Sequence, residues 1–420
     1  MINIKDKSNC CGCNACAQKC PKQCISMRED DEGFLYPYVD KTLCIECGLC
    51  EKTCPIIKRR TQAFECKRKP LNVFAAKNQN DEVRMQSSSG GIFTLLAENV
   101  IDEGGVVFGA GFNERWEVVH SFAENKENLA KFRGSKYVQS KVGNSYKLAE
   151  AFLKQGRKVL YSGTPCQIAG LKQYLRKDYV NLLAVDFICH GVPSPGVFRT
   201  YLRDEINICT ARKGGGKNTV LLPCIPLVSE RDELDMKGMK IQSISFRDKR
   251  NGWKKFGFAL VFSKASAEGE NSVSLSYKPL NENLFLRGFL KDLYLRPSCY
   301  SCKFKGLSSG SDITIADYWN IHTLIPSIDD DKGISAIVAT TDKGAVAVPE
   351  MKAMLYDATW EDLLQKNPAL VRSALFNKNR TKFFQADNRT FEEKIQILCK
   401  NQVGVKKLVR IILNKIIVKK

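Results

Sequence analysis

The amino-acid sequence predicts two unlike parts: a small α+β domain at the amino end and a larger α/β body behind it. Two observations lead there. The first sixty residues hold two copies of one cysteine motif, and from Asn72 onward short apolar runs alternate with helix-length amphipathic stretches. A third observation bounds both parts. The chain has 420 residues, 44% apolar and 26% charged, which is enough for two or three domains of ~100 to 200 residues and excludes disorder and fibrous repeats.

The motif reads C-x2-C-x2-C-x3-C-P at Cys10, Cys13, Cys16, Cys20 and Pro21, and again at Cys44, Cys47, Cys50, Cys54 and Pro55. Three thiolates on a tight loop cap three irons of a cubane, and the fourth cysteine reaches the other cluster. Cys10, Cys13, Cys16 and Cys54 are therefore expected on one [4Fe-4S] centre, and Cys44, Cys47, Cys50 and Cys20 on a second. Paired zinc knuckles leave the third and fourth cysteines of each copy unexplained. Gly12 and Gly48 suit the loops, Cys11 breaks the spacing and reads as a bystander, and Asp30 to Asp40 reads as a small hairpin. The amino-terminal part is thus α+β and ferredoxin-like over 1–60, and a basic connector from Lys58 to Pro70 marks its boundary.

The body follows by period. Val73 to Ala76, Val106 to Gly109 and Val159 to Ser162 read as strands; Gly91 to Ile101 and Tyr146 to Lys154 read as helices. The Ser87 to Gly91 turn opens a helix, whose positive end can hold a phosphate or simply be capped. Gly109 and Gly111 have no third glycine, since Glu114 stands there, so a G-x-G-x-x-G dinucleotide site is disfavoured.

Eighteen cysteines against three histidines (His120, His190, His322) direct attention to soft thiolate chemistry. Met1 to Asp6 lacks the start of a signal peptide, so a cytoplasmic, reducing setting without disulfides is expected. No apolar run reaches the ~18 to 20 residues of a membrane span. Cys166 is expected at a helix N-terminus, where a thiolate is stabilised, and Cys189 beside His190 at a strand end. With the C-x2-C pair Cys299 and Cys302, these thiols are enough for one more [4Fe-4S] cluster; spacing alone leaves open a redox dithiol at Cys299 and Cys302.

The stretches SSSGGIF from Ser87, RGSKYVQS from Arg133, SGTPCQIAGL from Ser162, DFICHGVPSP from Asp186, SFRDKRNGW from Ser245, and CYSCKF with SDITIADYW from Cys299 to Trp319 resemble the family of coenzyme F420 hydrogenase/dehydrogenase beta subunits, which includes 7-hydroxymethyl chlorophyll a reductases. The resemblance covers most of the chain. It implies an α/β flavoprotein body carrying FAD, favours the third cluster, and places electron exchange between clusters and a two-electron organic substrate or deazaflavin, F420 being one acceptor. Carried over residue by residue, it makes Ser88, Ser89, Gly90, Gly91, Gly134, Ser135, Lys136, Tyr137, Gly163, Thr164 and Pro165 flavin-contacting candidates. Lys136 is expected near the isoalloxazine or its phosphates as a fixed cation, and His190 is the available acid, with a structural role as the alternative. Asp317, Tyr318 and Trp319 are expected to line the same site or the core. The family parts are expected over 61–205 and 206–385, the latter with a basic insertion from Ala211 to Lys240. Similar fused chains resemble reductases of polysaccharide biosynthesis.

The formal charge of +20 falls to about +14 once three clusters of net −2 are counted. The remaining excess suits an acidic ferredoxin or flavodoxin donor; no nucleic-acid motif is present. In 386–420, Val405, Leu408, Val409, Ile412 and Ile416 form a helical stripe flanked by lysines, fit either to dock on the core or to lie on an anionic membrane. Self-association stays open. The rival readings are an electron-carrying subunit without its own substrate and a thiol-based disulfide reductase.

Overall fold

The structure, a computed structural model, describes residues 1–61, 69–213, 239–265 and 271–399. Most of the basic insertion, part of the connector and the whole stripe from Val405 to Ile416 lie outside the described residues.

Thirteen strands occur among the described residues. Two form the hairpin of the amino-terminal unit, β1 (Ile25–Glu29) and β2 (Leu35–Val39). The hairpin is therefore longer than expected: Asp30 to Phe34 supplies its turn, because the Asp30 carboxylate accepts the Phe34 amide at 2.9 Å and closes the loop. The body follows with β3 (Asn72–Lys77), β4 (Val106–Phe112), β5 (Val118–Ala123), β6 (Val159–Gly163), β7 (Leu182–Phe187), β8 (Met239–Asp248), β9 (Gly257–Ala265), β10 (Asn271–Pro279), β11 (Ile313–Asp317), β12 (Ser335–Ala339) and β13 (Met354–Asp357).

One eight-stranded mixed sheet runs β13-β3-β12-β11-β7-β6-β4-β5. Its centre, β11, β7, β6 and β4, is parallel. These strands are apolar on both faces, as a parallel sheet covered by helices requires, and their residues split by the period of two. Val106, Phe108, Val159, Tyr161, Leu182 and Ala184 pack under the helices 145–154 and 165–175, while Val107, Leu160, Leu183 and Val185 pack under 92–102 and 342–350. Strands from late in the chain thus complete a sheet begun by early ones, so the two expected halves of the body share one core.

The sheet β8-β9-β10 is antiparallel and rests on a second core of Phe198, Tyr201, Phe246, Phe258 and Phe285. The helix Pro195–Lys213 contributes to that core and runs through the division expected near residue 205. The helix Phe391–Leu398 docks there too, through Phe391, Ile395 and Leu398.

The amino-terminal unit lies against the helix Pro165–Leu175. A Cβ added to Gly170 would stand 2.8 Å from Cys13 Cβ and 3.0 Å from its Sγ, so only glycine permits this approach. Asn14 donates to the Gly143 carbonyl at 2.6 Å, Gln18 accepts the Tyr146 amide at 3.0 Å, and the Arg380–Glu32 ion pair closes the far side.

Candidate functional site

Each cysteine loop of the amino-terminal unit turns on a left-handed glycine, Gly12 at φ +70° and Gly48 at φ +69°, which gives the tight reversal that three converging thiols need. Cys10, Cys13, Cys16 and Cys54 stand within electrostatic reach of one another. Cys20, Cys44, Cys47 and Cys50 line a separate cavity of about 350 Å³. The fourth cysteine of each motif therefore lies with the first three of the other. Cys24, which sequence reasoning passed over, lines the second cavity with its sulfur 3.4 Å from Cys20.

A larger cavity, about 820 Å³ with its mouth, lies where this unit meets the body. Cys166 reaches it from the first turn of the helix Pro165–Leu175, Cys189 from just beyond β7, and Cys299 and Cys302 from the turn at Pro297–Ser301. Burial pushes Cys299 up to about 12, and burial raises Cys189 and Cys302 as well, the neighbouring thiols adding to it and the Lys305 charge opposing it. Cys166 sits at the helix N-terminus as expected, yet its thiol is raised well above the usual range, first by the hydrogen-bonded Cys11 thiol and then by burial, which together outweigh the Thr164 hydroxyl and the Arg296 charge. Cys11, expected as a bystander packed near a cluster or exposed, takes the packed position. It is buried and lines this cavity with the four thiols.

Among the described residues no three His, Cys, Asp or Glu side chains close around a point as a single metal ion requires. The four thiols instead border a cavity. A soft, all-thiol donor set of this kind fits an iron–sulfur cluster. The cations nearby fit it as well. Lys305 donates to the Cys189 carbonyl at 2.5 Å, and the fully buried Arg296 donates to the Cys10 carbonyl at 2.7 Å, to Gln139 at 2.9 Å and to the Leu35 carbonyl at 2.9 Å. His190 lines the same cavity, its Nε2 paired with Asp292 and its ring edge against Phe289 at 5.6 Å.

The flavin candidates gather along the carboxyl edge of the parallel strands, where ligands of open α/β sheets bind. Ser88 and Ser135 are joined Oγ to Oγ at 2.7 Å. Ser89 donates to the Ile334 carbonyl at 2.7 Å, the Gly90 amide donates to Ser335 at 2.9 Å, and a Cβ on Gly90 would lie 2.5 Å from the Ala76 carbonyl oxygen. Gly91 and Gly134 both take left-handed φ. At the end of β6, Gly163 leads into Thr164 and Pro165, where Thr164 forms a reciprocal cap with Gln167.

Lys136 is half-buried, and its ammonium donates to the Arg133 and Lys131 carbonyls at 2.8 and 3.0 Å; burial pushes it down to about 7. Among the described residues two buried arginines at this edge keep donors without a partner, Arg84 at Nε and, with more of them, Arg247. Arg247 is buried, Nη1 binds Asp317 at 2.6 Å, Phe256 and Trp319 lie over the guanidinium, and Nε and Nη2 make no hydrogen bond of normal geometry, the Tyr137 side chain being the neighbour that interacts with them. Tyr137, packed between Phe246 and Phe289, stands beside it. An orphaned buried guanidinium edge fits an anionic oxygen of a bound ligand, since each unmet donor there is costly. In the acidic-aromatic segment Asp317 also accepts from Trp253 at 3.1 Å, Trp253 stacks on Trp319 at 4.9 Å, and Tyr318 is buried, so the segment packs in the core while two of its side chains hold Arg247. Sequence reasoning quoted SFRDKRNGW without assigning Arg247, and it passed over Arg296 three residues before Cys299. A basic residue beside a C-x2-C pair is the signal that was there to read.

Comparison with known proteins finds three family models along the chain. A family model described as a 4Fe-4S dicluster domain matches residues 9–56; the model for the N-terminal part of the coenzyme F420 hydrogenase/dehydrogenase beta subunit matches 73–146, and that for its C terminus matches 156–212 and 227–359. The chain is similar to one of the subunits of the F420H2 dehydrogenase of Methanosarcina mazei, 26% identical over 222 residues, 47% of this chain and 61% of that one. It is similar to the coenzyme F420-dependent sulfite reductase of Methanocaldococcus jannaschii, 28% identical over 177 residues, 41% of this chain and 26% of that one. A chain of the F420-reducing [NiFe] hydrogenase complex from Methanosarcina barkeri aligns with a TM-score of 0.40 at 18% identity, over 80% of this chain and 92% of its own. The chain thus spans less than two thirds of the length of either curated relative. With the two beta-subunit models covering more than half of its residues behind a dicluster domain, the chain belongs to the family of coenzyme F420 hydrogenase/dehydrogenase beta subunits, as an iron–sulfur member with a ferredoxin-type domain at its front.

Proposed function

We propose that this chain is an iron–sulfur flavoprotein oxidoreductase that takes single electrons from a ferredoxin or flavodoxin and delivers them in pairs, through FAD, to an organic substrate or a deazaflavin such as F420. The observation that carries the reading is the meeting of Cys166, Cys189, Cys299 and Cys302 in one cavity at the joint between the ferredoxin-type unit and the body. When bound, the clusters supply one-electron steps and the flavin converts them to two-electron chemistry.

The chain's own groups divide the remaining work. Cys10, Cys13, Cys16 and Cys54 would hold one cluster, Cys20, Cys44, Cys47 and Cys50 a second, and the four cavity thiols a third. Cys47 is exposed, which supports a donor reaching the second set. Ser88, Ser135 and Tyr137 would border the flavin, and Arg247 rather than Lys136 would supply the fixed cation, because its Nε and Nη2 make no hydrogen bond of normal geometry. His190, held by Asp292, is the residue placed to move a proton at Nδ1.

Iron, sulfide and released flavin per chain, measured after anaerobic purification, test this. About twelve irons and one FAD are expected. About eight irons and no flavin, even after FAD is offered, would leave an electron carrier. An alkylatable dithiol at Cys299 and Cys302 would favour the disulfide reductase instead.

A further inference from the structure

We infer that Arg296 fixes the order of the two ferredoxin-type clusters: it makes the set at Cys10 the better electron acceptor, so that electrons arrive at the Cys44 set and leave for the body from the Cys10 set. The inference rests on the cluster assignment proposed above and adds to it a residue that no cysteine pattern contains.

The position of Arg296 comes first. It immediately precedes the turn Pro297–Ser301 that bears Cys299, and from there its side chain crosses into the ferredoxin-type unit. It is fully buried. Its donors reach the Cys10 carbonyl, Gln139 and the Leu35 carbonyl, and Nη2 also points to Cys10 Sγ at 3.5 Å. The rings of Tyr36 and Phe34 lie against it, centroids 4.2 and 5.4 Å from the guanidinium carbon. Every one of these contacts is a neutral oxygen, a ring or a sulfur.

A buried cation whose contacts include no carboxylate is costly unless an anion faces it. Here the available anions are thiolates, at Cys10 on one side and Cys299 on the other, both within its field. A four-thiolate cubane carries a net charge of −2 oxidised and −3 reduced. A fixed positive charge and an N–H donor at a ligand sulfur both favour the more negative, reduced form.

Among the described residues the other set has no buried cation as a partner. The cations near it are the exposed Lys22, which lines the same cavity, and the Met1 ammonium, which is paired with Glu51 at 3.5 Å and open to water; the donor to Cys50 is the uncharged Ile2 amide at 3.2 Å. Cys47 is exposed, so water screens charge there. The two sets thus differ by one uncompensated buried charge. The step it biases is simple: one electron supplied by a ferredoxin-class donor reduces the Cys44 set, then passes to the Cys10 set, which is reduced as the former is reoxidised. No bond or proton is exchanged.

The test is an EPR-monitored redox titration of the full chain, made anaerobically, for wild type, Arg296→Lys and Arg296→Met with iron counted in each. In wild type the two ferredoxin-type signals are expected at separate potentials. In Arg296→Met the reduction equilibrium of the higher one is expected to fall about tenfold, which is 59 mV for one electron, with the lower one unmoved. Arg296→Lys, which keeps the charge, is expected to move less than half as far. Retained iron with both potentials unmoved, or a shift confined to the lower one, overturns the inference. If Arg296→Met loses iron, wild type decides: coupling of an arginine 15N to the higher-potential cluster, seen by pulsed EPR in arginine-labelled protein, supports it, and its absence overturns it. Wild type without clusters would overturn the proposed function itself, a different outcome.

Discussion

Ser88 and Ser135, forty-seven positions apart, meet Oγ to Oγ at 2.7 Å across the carboxyl edge of the central sheet. One belongs to the turn after the helix Asp81–Gln86, the other to the segment that follows Gly134, so the bond fastens two of the three turns proposed to border the flavin. Removing it by Ser135→Ala is expected to cost about 1 kcal/mol of stability and to weaken FAD binding severalfold. Thermal unfolding with and without FAD checks both halves; a loss of stability with undiminished FAD affinity would detach these turns from the cofactor.

Arg247 is the sharper probe of the same site. Arg247→Met is expected to lower FAD affinity at least tenfold, with Arg247→Lys between it and wild type, because lysine restores charge but not the paired donors. It also strands Asp317, so Asp317→Asn serves as the control for stability. Fluorescence titration with riboflavin, FMN and FAD separates causes: equal weakening for all three would show that Arg247 does not meet a phosphate.

For the cavity at the joint, Cys302→Ser is expected to lose about four irons while the ferredoxin-type clusters stay. Cys11→Ser is expected to lose none, since Cys11 belongs to no predicted ligand set although it lines the same cavity. Iron and sulfide analysis of both variants decides; unchanged iron in Cys302→Ser would end the third-cluster assignment.

Asp186, which lines the same cavity as the four thiols, offers a pH test. It is buried on β7, accepts from Thr314 at 2.5 Å, and desolvation holds its carboxyl up at about 6. A pKa raised on folding means that the native state binds the extra proton, so its contribution is full below about pH 4 and is lost as pH rises to about 6. Asp186→Asn is expected to flatten the stability profile across that window, measured by urea unfolding at each pH. A slope unchanged in the variant would assign it to other groups.

Much of this was legible in the residues. The repeated C-x2-C-x2-C-x3-C-P fixes loop geometry locally, and strands such as Val159–Gly163 carry their own period of two. What escaped depends on contacts distant in sequence. Strands β11 to β13 return to a sheet begun at β3, which no local pattern can announce. Lys136 seemed the fixed cation because it sits in a quoted motif, yet nearby carbonyls of its own loop take up its ammonium. Arg247 and Arg296 matter because of what surrounds them after folding: one has donors left over, the other a charge left over.

Gly170 leaves room for Cys13 and for nothing larger, and Gly12 likewise would place a Cβ 2.6 Å from Gln139 Nε2 and 2.8 Å from Arg296 Nη1. Glycines facing across a joint from both sides make it a weld rather than a hinge. In the proposed electron transfer a unit held in this way would serve as a length of wire, soldered at one end, rather than as a tethered shuttle that swings between donor and acceptor. Transfer through it would then depend on distance and potential alone, and would be indifferent to solvent viscosity.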